Sequence, residues 1–205
     1  MRIKYNEDLD NIKKMAKELM DYVIISYEKI GQYIENSNED DLDDIIDLHD
    51  DIRRKSSDIE SLGFELMALQ QPVAKDLKLI QMSLKLASSF KRIAGHFEQV
   101  SFILGEYSLN EREKDFVKEF IENETKMAKD AINSFVNYDM DLAKETIKKD
   151  EINNKLFEGA VSYISRENKE DNIGPIELSE KVLLYKYFER LGDRLARVAD
   201  LATRL

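Results

Sequence analysis

Residues 79–104 read LIQMSLKLASSFKRIAGHFEQVSFIL, and the spacing of their apolar positions decides the fold. Leu79, Met82, Leu86, Phe90, Ile93, Phe97, Val100 and Leu104 recur at alternating steps of three and four, so a helix gathers them into one continuous stripe. A half-buried strand would need alternation at every second residue, and no such stretch competes. The same spacing lies upstream, in Leu9, Ile12, Ala16, Leu19, Val23, Ile30 and Tyr33, then in Ile45, Leu48, Ile52, Ile59, Leu62, Leu66 and Leu69. It returns near the end in Leu184, Phe188, Leu191, Leu195, Val198 and Ala202. Stripes of this kind are seams between packed helices.

Polar turn residues punctuate these segments. Asn36 to Asp40 separates the first two, with Ser37 and Asp40 placed as a capping box carrying Asp in the Glu position. Gln71-Pro72 separates the second from the third, Pro72 suiting a helix start because its missing N–H costs nothing there. Gly105 to Asn110 follows, with Asn110 and Glu113 able to cap a fourth helix. Asn137 to Asp141 and Asn168 to Pro175 mark the last two breaks. The spacing predicts six helices near 7–36, 41–70, 73–105, 111–137, 141–168 and 176–204.

The two halves repeat one another in order. His49-Asp50-Asp51-Ile52 is echoed by Lys149-Asp150-Glu151-Ile152, and Phe90-Lys91-Arg92-Ile93-Ala94-Gly95-His96 by Phe188-Glu189-Arg190-Leu191-Gly192-Asp193-Arg194. A proline opens the third helix of each half. We therefore expect an all-α protein of two pseudo-symmetric three-helix bundles, residues 1–107 and 108–205.

Composition narrows the function. With 42 acidic against 31 basic residues the net charge is −11, which repels nucleic-acid phosphates and anionic lipid and favours cations and basic protein surfaces. Cysteine is absent, which removes disulfides, thiolate ligands and thiol nucleophiles together. The opening MRIKYNEDLDNIKK has no signal-peptide apolar core, and no apolar run approaches the length of a bilayer span. The expectation is a cytoplasmic chain without direct membrane insertion. No glycine-rich loop follows a strand, no serine stands with a plausible histidine base, and no His-Glu-x-x-His occurs, so we expect a binding protein rather than an enzyme.

The run Leu66-Met67-Ala68-Leu69-Gln70-Gln71-Pro72-Val73-Ala74-Lys75-Asp76-Leu77 resembles the Leu-Leu-Ala-Leu-Arg-Gln-Pro-Val-Ala-Arg-Asp-Leu segment of the PhoU family of phosphate-uptake regulators. Tyr187-Phe188-Glu189-Arg190-Leu191-Gly192-Asp193 is similar to that family's Tyr-Leu-Glu-Arg-Ile-Gly-Asp, and Asp50-Asp51-Ile52 and Asp150-Glu151-Ile152 fit its acidic segments. The resemblance spans essentially the whole chain. It implies a cytoplasmic negative regulator of phosphate homeostasis that links a Pst-type ABC transporter, through its ATPase subunit, to a sensor histidine kinase. It also implies a homodimer and a divalent or iron-type metal ion held by one Glu/Asp-x-x-x-Asp motif per half. An accessory subunit of another phosphate permease is the alternative. A carboxylate-bridged metal oxidase is a further one, opposed by the absence of Glu three residues before His49 or His96, where Ile46 and Ile93 stand.

Departures from the family pattern decide which residues could hold a metal. The first-half motif has Lys91 and Gly95 in place of both carboxylates, followed by His96. The second half keeps Glu189 and Asp193, one turn apart on one face, with Arg194 and Arg197 where His and Asn are usual. Glu189 and Asp193 are thus the candidate metal ligands, with Asp150 and Glu151 as neighbours from another helix. The competing reading is ordinary ion pairing, since Arg197 follows Asp193 by four and Arg204 follows Asp200 by four. The acidic face Asp43, Asp47, Asp51 and Asp58 reads as solvated surface or as a dock for a basic partner, and His49 as structural.

Overall fold

A computed structural model describes residues 2–69, 72–171 and 173–205, so Gln70 and Gln71 of the family-like run fall outside it. Six long helices form, and no strand occurs among the described residues. They are α1 (Arg2–Asn36), α2 (Glu39–Leu69), α3 (Ala74–Glu106), α4 (Glu111–Asn137), a fifth that is broken into α5 (Met140–Lys148) and α6 (Asp150–Asp171), and α7 (Pro175–Ala202). The fold class agrees with the sequence reading; the division of the fifth helix does not.

The break at Lys149 has a tertiary cause. Neither proline nor glycine is nearby, but the Lys149 carbonyl accepts from Asn123 Nδ2 on α4 at 3.3 Å and from the Ile152 amide at 3.0 Å. The Lys149 amide in turn bonds Thr146 O at 3.1 Å in the tighter three-residue manner. A side chain from α4 therefore inserts its bond where the helical ladder would continue.

The ends show which caps were read correctly. Asn110 Oδ1 accepts from the Glu113 amide at 2.9 Å while Glu113 Oε2 accepts from the Asn110 amide at 2.8 Å, completing the capping box. The Ser37–Asp40 box does not form. Ser37 takes the left-handed conformation that closes α1 (φ 52°), and Asn38 caps α2 by accepting from the Asp40 amide at 3.3 Å. Pro175 occupies the first turn of α7, whereas Pro72 stands ahead of Val73, the N-cap of α3, and so lies outside the helix.

Packing follows the stripes. Helices α1, α2 and α3 pack together, as do α4, α5, α6 and α7. Across the halves α3 packs on α7 and α1 on α4, so α1, α3, α7 and α4 form a closed inner ring with α2 and α5/α6 on the flanks. All eight stripe residues of α3 and all six of α7 are buried, and one continuous apolar cluster runs through both halves. Phe97 meets Tyr27 edge to face at 4.9 Å, and Phe120 stacks on Phe188 at 5.4 Å. Burying each such aromatic or leucine side chain contributes about 1.5–3 kcal/mol. Leu69, on the expected α2 stripe, is 68% exposed because it is the last residue of that helix.

Two charges lie in the interior of the second half. Lys181 on α7 and Glu113 on α4 pair at 3.0 Å with side chains 6% and 1% exposed. Glu177 supplies a second carboxylate to Lys181 at 3.2 Å, and Tyr185 donates to the Glu113 carbonyl at 3.0 Å. Glu113 thus caps α4 and ties it to α7 at once.

Candidate functional site

Where α6 begins, its first turn meets the middle of α7. The approach is close because Gly192 has no side chain: a Cβ there would stand 1.8 Å from Asn153 Nδ2 and 3.1 Å from Asp150 Oδ1. Asn153 is fully buried and its Oδ1 accepts from Asn123 Nδ2 at 2.9 Å, so a polar contact joins α4 to α6 beneath the site.

On this floor the structure brings together Asp150, Glu189 and Asp193. The Asp150 Oδ1 atom is buried without a hydrogen-bond partner. Burial raises its carboxyl above the ordinary range, and the negative charges of Asp193, Glu189 and Glu151 push the same way. Glu189 accepts an ion pair from Lys186 one turn earlier at 2.8 Å. Asp193, 40% exposed, pairs with Arg197 at 3.3 Å and lies 3.8 Å from Arg194. Glu151 is exposed and pairs with Lys155 at 3.7 Å.

Sequence reasoning missed the deepest member. Glu124 on α4 is fully buried, with both carboxylate oxygens lacking partners. The Tyr27 hydroxyl of α1 is its neighbour and is buried with it. Burial drives the Glu124 carboxyl well above the ordinary range, with Asp150 and Glu189 adding to the effect. The signal that could have found it is periodic: Phe116, Phe120, Met127, Ala131 and Phe135 set the buried stripe of α4, and Glu124 falls in step with them.

As placed, these carboxylates fit a cation only in part. The orphaned oxygens of Glu124 and Asp150 suit a positive charge, but Glu189 and Asp193 are engaged with basic side chains. Among the described residues no three acidic or histidine side chains converge on one point that a metal ion could fill.

The first-half counterpart differs in kind. Lys91 donates to Glu60 on α2 at 2.6 Å, and the side of Gly95 where a Cβ would project is open, with nothing within 4 Å. His96 has a buried Nε2 without a partner, and its ring lies 5.7 Å from that of Tyr187. Burial lowers its pKa to about 4, assisted by Arg194, Arg190 and Arg92, so the imidazole is neutral. His49 is nearly buried, with Nδ1 3.2 Å from Asp50 and Nε2 3.9 Å from Glu98. On α2, Asp43, Asp47 and Asp58 face solvent, and Asp51 pairs with Arg54. No helix among the described residues is long and apolar enough to cross a membrane.

A closed ring of long helices flanked by a further helix on each side defines a helical double-bundle protein. A family model described as the PhoU domain matches it twice, at residues 11–103 and 117–202, and the chain belongs to the PhoU family. It is 29% identical over 171 residues to the "Phosphate-specific transport system accessory protein PhoU homolog" of Clostridium acetobutylicum, covering 82% of this chain and 78% of that one. A "PhoU homolog 1" of the same description from Methanothermobacter thermautotrophicus is 23% identical over 202 residues, covering 97% and 92%. The fold is that of the crystal structure of PhoU from Pseudomonas aeruginosa, with a TM-score of 0.88 at 20% identity over 97% of this chain and 96% of that one. The phosphate transport system regulatory protein PhoU from Streptococcus pneumoniae matches with a TM-score of 0.83 at 18% identity, over 97% and 94%.

Proposed function

We propose that this chain is a non-enzymatic regulator of phosphate homeostasis that works by binding proteins. The observation that carries this reading is the double match to the PhoU domain, which takes in both halves of the chain. In the proposed mechanism the state of the protein that engages the transporter ATPase subunit also engages a sensor histidine kinase. Differential affinity for these two partners couples import to kinase restraint. The protein acts in the cytoplasm, as a homodimer. Deleting the gene is expected to raise alkaline phosphatase or transporter expression in high phosphate. Unchanged expression would remove the regulator reading and favour an accessory role in another permease.

A divalent or iron-type ion, where bound, sits beside Asp150, Glu189 and Asp193, and its role is to neutralise carboxylate charge between α6 and α7. Hard cations gather oxygen ligands of this kind. Replacing Glu189 and Asp193 by Ala together is expected to abolish metal binding while leaving helicity by circular dichroism intact. Retained binding in the double variant, or metal located at Lys91 by anomalous scattering, would overturn the assignment.

A further inference from the structure

Where α2 begins and α3 ends, their shared outer face carries a groove with an apolar floor. The two helices run antiparallel here: a Cβ on Gly105 would stand 3.4 Å from Leu42 Cδ1, and His49 Nε2 lies 3.9 Å from Glu98. Beside these contacts they leave a groove of about 290 Å³, lined by Leu42 and Ile46 from α2 and by Phe102 from α3. Glu39, Asp43 and Glu106 line it as well, and all three are exposed. Phe102 is 57% exposed, so an aromatic ring stands in water next to a depression that it only partly fills.

The charge around the groove has one sign. Residues 30–52 and 93–111 contain no lysine or arginine, and 39–52 alone hold eight carboxylates. Lys29 of α1 neutralises two of them, Asp41 at 2.9 Å and Asp44 at 2.7 Å. Glu39, Asp43 and Glu106, which line the groove, form no ion pair among the described residues. This charge selects the occupant. An anionic lipid surface is repelled. A second copy docking through the same face about a two-fold axis would set these acids against their own equivalents. Among the described residues no three acidic or histidine side chains converge on a point that a metal ion could fill, so the charge suits cations spread along a chain.

We propose that this groove docks a basic amphipathic helix of a partner protein. An apolar side chain of that helix seats against Leu42, Ile46 and Phe102, and lysines or arginines one turn to either side reach Glu39, Asp43 and Glu106. A groove between two antiparallel helices accepts a third helix by its apolar stripe, and complementary charge fixes the register and speeds encounter. The inference rests on the reading of the chain as a regulator that binds proteins, and it gives that reading a surface and a partner chemistry. The two fail separately, since docking is measured on the isolated chain and regulation by reporter expression in a deletion strain.

The test is fluorescence anisotropy of a fluorescein-labelled amphipathic helical peptide of leucine and lysine, titrated with the full chain. A matched peptide with glutamate for every lysine is run beside it. The lysine peptide is expected to bind saturably and more weakly as salt is raised, and the glutamate peptide not at all. Phe102→Ala, and Asp43→Lys together with Glu106→Lys, are each expected to weaken binding on the order of tenfold, as truncation of a central interface residue does. Phe64→Ala removes a comparably exposed ring, 59%, from α2 outside the groove and is expected to leave binding unchanged. Circular dichroism of each variant separates lost binding from lost folding. Should the charge-reversed chain not fold, Asp43→Asn with Glu106→Gln replaces it, keeping size and removing charge. Equal binding of the two peptides, or full binding by Phe102→Ala, would overturn the proposal, the latter by reducing the attraction to net charge. A dimer in sedimentation that Phe102→Ala dissociates would also overturn it, because the occupant would then be a second copy.

Discussion

Two glycines one residue apart in the register of the repeats should respond to alanine in opposite directions. At Gly192 an added Cβ would stand 1.8 Å from Asn153 Nδ2 and 2.8 Å from its Cγ, far inside van der Waals contact. Asn153 is fully buried, and its amide is held by Asn123 at 2.9 Å, so it cannot swing aside into solvent. Forcing α6 away from α7 costs about 1–3 kcal/mol for overpacking. Loss of the Asn123–Asn153 bond adds about 1–3 kcal/mol as buried amides are left unpaired. Against this, alanine in a helix interior regains roughly 1 kcal/mol over glycine. Gly192→Ala is therefore expected to destabilise by about 1–5 kcal/mol, the range these three contributions span. Gly95→Ala, with open space at its Cβ, is expected to stabilise by about 1 kcal/mol from helix propensity alone. Urea unfolding followed by circular dichroism measures both, and Asn153→Ala should restore part of the loss in a Gly192→Ala background. A stabilised Gly192→Ala protein would show that α6 and α7 do not approach as described.

Glu124 supplies a pH dependence. Its carboxyl binds a proton more tightly in the fold than its ordinary value of 4.5, so its burial carries no penalty from ionisation below that pH, and stability falls as pH rises from there toward the raised folded value. Glu124→Gln should therefore gain on the order of 1–3 kcal/mol at neutral pH and almost nothing at about pH 4, read from urea midpoints across pH. An equal gain at both ends would refute the upward shift of this carboxyl. Lys181→Met strands the buried Glu113 carboxylate and should cost about 3–5 kcal/mol, with Glu113→Gln in the same chain recovering part of it by double-mutant cycle. A loss below about 1 kcal/mol, the worth of a surface pair, would mean that water reaches this ion pair.

Much of the fold was legible because helix stripes are local. The positions of α3 and α7 that were counted by threes and fours are all buried, and the Asn110–Glu113 box closes as its spacing requires. What local spacing could not show was made by residues distant in sequence. The break at Lys149 depends on Asn123 from another helix, and the Ser37–Asp40 box lost to Asn38, one residue nearer the start of α2. At the site, Glu189 and Asp193 were found from a motif, and Asp150 joins them in space. Glu124 was missed because an acid on an apolar stripe breaks the rule by which stripes are recognised. Lys91, Gly95 and Arg194 were legible as departures from the metal motif, but only packing shows their partners: Lys91 has Glu60, whereas Arg194 Nε has none.

The inner ring of α1, α3, α7 and α4 also says something about descent. A lone three-helix half would leave the apolar faces of its first and third helices bare, and the surface that fits them is the corresponding face of another half. Each half thus has the geometry of a protomer, and the chain that of an ancestral two-fold dimer whose subunits were fused end to end. Fusion frees the two copies from identical sequence. A symmetric ancestor would have to carry the same charges on both sides of the axis, but the fused chain keeps Glu189 and Asp193 on one side and places Lys91 and Gly95 on the other. One ancestral surface has become two with different chemistry, in a molecule whose scaffold did not have to change.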